Sequence, residues 1–131
     1  PLVRTVSADD VLANLETKKS IVLDARANDR FRGENETIDP VAGHIPGAKN
    51  RWFKDNLQPD GRFKSAAALQ ADFSALIRSP DTTIAQCGSG ISACHNLLAM
   101  EIAGLGGAAL YPGSWSEWSS DPSRPVATGT E

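Results

Sequence analysis

The chain has 131 residues, 40% of them hydrophobic, which suffices for one domain with a single hydrophobic core. A net charge of −3, from 13 basic and 16 acidic residues without a basic run, argues against broad nucleic-acid binding. No apolar stretch is long enough to span a membrane and the N-terminus lacks a signal pattern. We therefore expect a cytoplasmic protein that binds neither nucleic acid nor membrane.

The first half of the chain predicts two helices and one buried strand. Ser7-Ala8-Asp9-Asp10 is a capping box at a helix start, and Ser65 caps a second helix. Between them, the β-branched run Ile21-Val22-Leu23-Asp24 predicts a buried parallel strand. The polar segment 27–41 is interpreted as a long loop, and residues 43–48 as a turn around a short extended piece.

The second half of the chain predicts two further strands and a long helix. Residues 82–86 form a β-type run, and residues 108–111 are the last predicted strand. Between them, an apolar helix from about Ile91 to Ala103 leaves little polar face, so we expect it to be well buried. Helices that alternate with short apolar strands predict a parallel sheet covered on both faces. After Ser120, the abundance of Pro, Ser and Thr is typical of a loosely ordered tail.

The loop between the 82–86 strand and the following helix has the composition of an anion-binding cradle. It consists of Cys87-Gly88-Ser89-Gly90-Ile91-Ser92. Glycines let the backbone curl tightly, and the N–H groups and dipole of a helix start favour a negative charge. The thiolate is the nucleophilic form of cysteine, so the sequence predicts a reactive Cys87. The alternative is an inert cysteine that packs as a small hydrophobe.

With these residues in place, the chain resembles the rhodanese domain of the sulfurtransferase family over nearly its whole length. The resemblance rests on residues 22–26, 30–33, 43–48, 87–95 and 111–118. The sequence of the Cys87 loop resembles that of 3-mercaptopyruvate sulfurtransferases rather than that of thiosulfate-preferring rhodaneses, which usually have basic residues directly after the cysteine. The chain as a whole resembles most the C-terminal catalytic domain of 3-mercaptopyruvate and thiosulfate sulfurtransferases. The resemblance implies an α/β, rhodanese-like three-layer fold with a central, mostly parallel five-stranded sheet and helices on both faces.

The resemblance also implies a domain organisation. Residues 1–120 are expected to form one rhodanese domain, and residues 121–131 the loosely ordered tail. Such enzymes commonly pair two rhodanese domains, and the active cysteine lies in the second. We therefore expect this chain, which begins Pro1-Leu2-Val3 without Met, to be the C-terminal half. An N-terminal rhodanese domain of the same protein is the expected partner that helps to close the site.

The activity that the resemblance implies is sulfur transfer through a persulfide on Cys87. A sulfane sulfur would move from 3-mercaptopyruvate, or from thiosulfate, to a thiophilic acceptor such as cyanide, a thiol or thioredoxin. Neither a metal nor an organic cofactor is expected, since the persulfide itself carries the chemistry. Ser89 matches the serine of a Cys-Ser-Asp relay whose aspartate comes from the other domain. The cradle alone is the alternative means of activating the thiol, so the catalytic role of Ser89 stays open.

Binding of the small anionic donor is assigned to an arginine and to the loop. Arg30 matches the family arginine that holds the donor's anionic end, and a guanidinium can grip a carboxylate with two parallel hydrogen bonds. The loop residues assigned to substrate binding are Gly88, Gly90, Ile91 and Ser92. Mercaptopyruvate enzymes usually carry a second arginine in the next loop, but here residues 33–40 hold three acids and no arginine. Arg51 is a candidate replacement.

The remaining polar residues are expected to be structural. Asp24 should bond to the backbone or to Arg26, and His44 should be a hydrogen-bonder beneath the loops. Cys94, in the helix after the loop, is expected to point into the core, which makes it a poor resolving thiol for a redox sensor.

Two other classes of protein share the fold. Cysteine phosphatases need an arginine six residues after the cysteine, where this chain has Ala93, so a phosphatase function is nearly excluded. A non-catalytic rhodanese-like module for regulation or docking is the other alternative. Such modules often lose the cysteine, whereas this chain keeps both the cysteine and its cradle.

Overall fold

The computed structural model describes residues 3–130, in which five α-helices surround a four-stranded sheet. In chain order the elements are α1 (Ala8–Thr17), β1 (Ile21–Asp24), α2 (Asn28–Arg32), β2 (Lys49–Asn50), a 3₁₀ turn (Phe53–Asn56), α3 (Ala66–Ser74), a 3₁₀ turn (Pro80–Thr82), β3 (Thr83–Gln86), α4 (Ile91–Ile102), β4 (Ala109–Leu110) and α5 (Ser114–Trp118). The predicted capping box is present, since Ser7 and Asp10 exchange hydrogen bonds between side chain and backbone at the start of α1.

The sheet has the strand order β2-β1-β3-β4, and every neighbouring pair is parallel. Asp24 at the end of β1 is paired in register with Gln86 at the end of β3. All strands therefore finish at the same edge of the sheet, where ligands of such folds bind. Cys87 follows directly on β3 at that edge.

The prediction of a five-stranded sheet is wrong by one strand. The described residues form four strands, and beyond β4 a single parallel bridge joins Thr5 to Leu110. One bridged residue pair is too short to make a strand. The parallel α/β architecture is confirmed.

The two faces of the sheet carry separate hydrophobic clusters. Successive strand residues point to opposite faces, so Val22 and Leu23 fall in different clusters. The cluster around Val22 contains Trp115 and Trp118 of α5, both fully buried. The cluster around Leu23 draws on α3 and α4. The expected three layers, with helices on both faces, are confirmed.

The interpretation of residues 27–41 as one long loop is wrong over α2. This helix has only five residues and no side-chain cap at Ala27, so it leaves neither a periodic pattern nor a start signal. It ends at Gly33, whose φ of +89° suits glycine. Phe31, the buried residue of α2, attaches it to the core.

Helix α4 is less buried than its composition predicts. Leu98 and Ile102 are exposed, and Cys94 is exposed rather than directed into the core. The buried residues of α4 are Ala93, Asn96, Ala99 and Met100. The helix therefore packs through a narrow face of mostly small side chains, and Cys94 lies outside that face.

The segment after Ser120 contacts the domain at several points. Ala127 forms an antiparallel bridge with His44, and the indole N–H of Trp118 donates to the carbonyl of Pro125 at 2.9 Å. The backbone N–H of Gly129 donates to the carbonyl of Arg32 at 2.8 Å. The boundary at residues 120 and 121 stays a prediction. Within residues 3–130, no helix is long and apolar enough to cross a membrane.

We expect His95 to make the stability of the domain fall on mild acidification. Its ring contacts those of Phe53 and Phe63, with centroids 5.3 and 4.9 Å away, and burial lowers its pKa below 6.5. A depressed pKa stabilises the fold above about pH 6.5, and this contribution is lost as the pH falls toward the folded pKa. Thermal unfolding between pH 7 and 5 should show a declining Tm, and a smaller decline in His95→Gln. Equal declines in the two proteins would contradict the assignment.

Candidate active site

The Cys87 sulfur lies where the carboxyl end of β3 meets the start of α4. The backbone N–H of Gly90 donates to Sγ of Cys87 at 3.0 Å. Helix α4 begins at the next residue, Ile91, and the N–H groups of its first turn have no partners within the helix. These donors and the helix dipole favour negative charge at the sulfur. Cys87 is only 2% exposed and forms part of the wall of a pocket.

The pocket has a volume of about 500 Å³ and collects most of the predicted site residues. Those that line it are Arg30, Cys87, Gly88, Ser89, Ile91 and Ser92. Gly90 is not among the lining residues, but its N–H contacts the Cys87 sulfur. Ser89 is exposed and Ile91 is 79% exposed, so the loop presents its tip to solvent. No cluster of three or more potential metal ligands occurs among residues 3–130.

Gly90 is the loop position that sterically requires glycine. Its φ is +96°, and a Cβ at this residue would lie 2.7 Å from the carbonyl oxygen of Pro112. A Cβ on Gly88 would meet the Arg30 guanidinium at 3.6 Å, which is ordinary van der Waals contact. The predicted need for a tight glycine turn therefore falls mainly on Gly90.

Ser114 is a supporting residue that sequence reasoning missed. It is fully buried with φ of +56°, its hydroxyl donates to the carbonyl of Tyr111 at 2.9 Å, and it accepts from the N–H of Cys87 at 3.0 Å. Ser114 thus satisfies the buried N–H of Cys87 directly after the end of β3. Its only sequence signal is its place in the Pro-Gly-Ser-Trp motif.

The backbone of α5 holds the outer side of the cysteine loop. The N–H of Trp115 donates to the carbonyl of Cys87 at 2.8 Å, and the N–H of Ser116 donates to that of Gly88 at 2.9 Å. Two consecutive carbonyls are thereby turned toward α5.

Arg30 stands beside the loop, but acids already hold it. Its guanidinium lies 3.3 Å from a carboxylate oxygen of Glu36 and 3.7 Å from one of Asp39. Burial acts to raise the pKa of Glu36. Backbone hydrogen bonds from Ile38 and Asp39, together with Arg30, outweigh burial and hold that pKa below its usual value. Glu36 is therefore ionised at neutral pH, and it occupies the kind of contact that a donor's anionic end would make with Arg30.

Arg26 and Asp24 form the structural pair that the sequence predicts. Both are buried, with a guanidinium nitrogen 2.8 Å from a carboxylate oxygen, and Asp24 also accepts from the backbone N–H of Arg26. The guanidinium lies over the Trp115 ring at 4.9 Å. His44 is buried, stacks on Phe31 at 3.8 Å and donates from Nδ1 to the Phe31 carbonyl at 2.6 Å. It does not line the pocket, in keeping with a structural role.

Arg51 does not replace the missing second arginine. Its guanidinium bonds to Asn56 at 3.0 Å and to Asp72 at 3.2 Å, and it lies over the Phe73 ring at 4.9 Å. These contacts direct it toward α3 rather than toward Cys87. Two basic residues line the pocket without having been predicted as site residues: Arg26, which is paired with Asp24, and Lys54, on the 3₁₀ turn after β2.

The fold and the site together define an α/β domain with a buried cysteine at the start of a helix, on the carboxyl edge of a parallel sheet. The model of the rhodanese-like domain matches residues 7–121. The chain therefore belongs to the rhodanese family.

Curated relatives agree with this assignment. The chain is 55% identical over 126 residues to a probable 3-mercaptopyruvate sulfurtransferase of Pseudomonas aeruginosa, covering 95% of the chain and 44% of that protein. It is 40% identical to the thiosulfate sulfurtransferase of Bos taurus, covering 84% of the chain and 38% of that protein. The solved 3-mercaptopyruvate sulfurtransferase of Leishmania major superposes with a TM-score of 0.73 at 29% identity, covering 89% of this chain and 33% of that one. The chain thus spans less than half the length of these relatives.

Proposed function

We propose that this domain transfers a sulfane sulfur from 3-mercaptopyruvate, or from thiosulfate, through a persulfide on Cys87 to a thiophilic acceptor. The observation that carries the proposal is the Gly90 N–H on the Cys87 sulfur at the start of α4, inside a pocket that Arg30 also lines. The names of the relatives supply both donors. Acceptors of the right chemistry are cyanide, a small thiol or thioredoxin, each of which attacks sulfur.

The proposed reaction has two displacements at sulfur. The Cys87 thiolate attacks the donor sulfur and forms an S–S bond, while the bond from that sulfur to the rest of the donor breaks. With 3-mercaptopyruvate the departing electron pair gives an enolate, which takes up a proton to become pyruvate. The acceptor then attacks the outer sulfur, and the Cys87 thiolate leaves. The same N–H donors stabilise the negative sulfur before and after transfer.

Ser89 and the loop residues have supporting roles in this proposal. The Ser89 hydroxyl lines the pocket beside Cys87, where it can pass a proton to the departing enolate. Gly88, Ile91 and Ser92 line the same wall and would contact the donor. An acidic partner for Ser89 would come from an N-terminal rhodanese domain. The relatives leave more than half their length outside the match, which gives room for such a domain. A cytoplasmic location and the absence of a cofactor are parts of the same proposal.

The experiment that tests this function is intact mass measurement of the chain after brief incubation with each donor. We expect a gain of one sulfur atom per chain, which cyanide removes as thiocyanate. The faster donor identifies the preferred substrate class. If neither donor adds a sulfur atom, two explanations remain: the chain is a docking module, or its activity needs the second domain. The same mass measurement on a two-domain protein decides between them.

We predict that Glu36→Gln lowers the KM for an anionic donor, because it removes an ionic partner of Arg30. The amide still accepts the N–H groups of Ile38 and Asp39 but no longer pairs ionically with Arg30. The KM for an anionic donor should fall about threefold, as expected for loss of one ionic competitor. The measurement is the donor dependence of thiocyanate formation. Glu34→Gln, which removes the exposed partner of Arg32, is the matched control and should leave KM unchanged.

A further inference from the structure

The two arginines on one side of the pocket are already paired with acids. Arg26 and Arg30 face three carboxylates, those of Asp24, Glu36 and Asp39, at 2.8 to 3.7 Å. This side of the pocket is therefore neutral or slightly acidic, although it contains two guanidinium groups. A donor anion that binds there has to displace a carboxylate that is already in contact.

Lys54 lines the same pocket and, unlike the two arginines, has no such competitor. Among residues 3–130, no carboxylate lies within 4.0 Å of its ammonium group. The ammonium lies 5.6 Å from the centre of the Trp52 ring, which also lines the pocket. Such a group keeps its full positive charge available to a ligand.

The backbone that carries Lys54 is fixed to the site. The N–H of Phe53 donates to the carbonyl of Ala25, just past the end of β1, at 3.1 Å. Asn56, at the other end of the 3₁₀ turn, is fully buried and donates to Asn96 of α4 at 2.8 Å. Since α4 also starts at the cysteine loop, Lys54 is held at a set position relative to Cys87 and only its side chain remains flexible.

We propose that Lys54 binds the carboxylate of the sulfur donor and thereby favours donors that carry one close to the reacting sulfur. This inference rests on the proposed function and identifies the residue that takes the place of the second arginine missing from residues 33–40. The ammonium can bind the donor carboxylate without displacing an acid. Arg30 can bind it only after the carboxylate of Glu36 has moved away from the guanidinium. Lys54 is thus the binding residue for the anionic end, and Arg30 assists it.

The test uses two alkylating reagents of nearly equal size that differ in charge. Iodoacetate carries a carboxylate next to its reacting carbon, and iodoacetamide is its neutral counterpart. Peptide mass mapping gives the alkylation rate at Cys87, and the exposed Cys94 outside the pocket serves as the internal reference. The measured quantity is the iodoacetate-to-iodoacetamide rate ratio at Cys87 relative to that at Cys94.

Three variants of the 131-residue chain separate charge from structure. Lys54→Met removes the charge at similar length, and we expect the ratio to fall about fivefold, the size of a partly exposed ionic contact. Lys54→Arg should retain the ratio. Lys19→Met, at an exposed lysine outside the pocket, is the matched control and should not change it. An unchanged ratio in Lys54→Met, or an equal fall in Lys54→Arg, overturns the proposal.

Persulfide loading of the same variants keeps this inference apart from the proposed function. With 3-mercaptopyruvate, Lys54→Met should raise the donor concentration needed for half-maximal loading while leaving the maximal loading rate nearly unchanged. If the wild-type chain gains no sulfur from any donor, sulfur transfer by this chain on its own is ruled out. The alkylation ratio still decides whether Lys54 binds a carboxylate beside Cys87.

Discussion

Replacing Cys87 with alanine is expected to abolish sulfur transfer, with a loss of at least about 1000-fold in the rate of thiocyanate formation. The variant lacks the atom that would carry the transferred sulfur, so neither displacement can occur. The fold should persist, since Cys87 is a small buried residue in a cluster with Ala25, Ala85 and Ala93. The Gly90 N–H loses its partner at a cost of about 1 kcal/mol.

The matched control for this prediction is Cys94→Ala. Cys94 is exposed on α4, and its thiol donates only to the carbonyl of Gly90 at 3.5 Å. We expect the control to keep full activity and to gain one sulfur atom in the mass experiment, whereas Cys87→Ala gains none. Sulfur on Cys94, or activity that survives in Cys87→Ala, would move the chemistry to another residue.

The parts of this molecule that the sequence predicts well are those encoded by neighbouring residues. Strand β1 coincides with the run Ile21–Asp24, the helix after Ser7 begins with its capping box, and Cys87 follows directly on β3. Each depends on a local pattern, of hydrophobic burial or of capping, that a few adjacent residues carry in full. The turn into α4 is also predicted from neighbouring residues, because Gly90 directly precedes the start of the helix at Ile91.

The parts that the sequence does not predict depend on contacts between distant residues. Ser114 bonds to Cys87 across 27 positions, and its hydroxyl could not be distinguished from those of nearby serines. Lys54 enters the pocket because its turn is anchored to β1 and α4, while Arg51, three residues earlier, is drawn away by Asp72. The sequence showed three acids in residues 33–40 but not that two of them, Glu36 and Asp39, pair with Arg30 in the folded chain. The sequence therefore predicted Arg30 at the site, but neither its pairing with Glu36 and Asp39 nor the presence of Lys54 in the pocket.

The second large effect is expected from Gly90→Ala, which should impair both stability and sulfur transfer. A methyl group at this position would lie 2.7 Å from the Pro112 carbonyl oxygen, and a φ of +96° is strained for any residue with a Cβ. The contact is with backbone, which cannot swing aside as a flexible side chain would, so the loop has to shift. We expect a loss of about 2–4 kcal/mol in the free energy of unfolding.

The same shift moves the Gly90 N–H away from the Cys87 sulfur, which it contacts at 3.0 Å. Loss of one such donor typically lowers the rate about 100-fold.

Gly61→Ala is the control that separates the steric contact with Pro112 from the strain of a positive φ. Gly61 has a φ of +87°, and a Cβ added there would have no neighbouring atom within 4 Å, so its variant should lose about 1–2 kcal/mol and keep its activity. Urea unfolding and thiocyanate formation, measured on both variants, give the comparison. Equal losses of stability in the two, with activity retained in Gly90→Ala, would mean that the Pro112 contact does not shape the cradle. Selective loss of activity in Gly90→Ala would tie the placement of one backbone N–H to the chemistry of the cysteine.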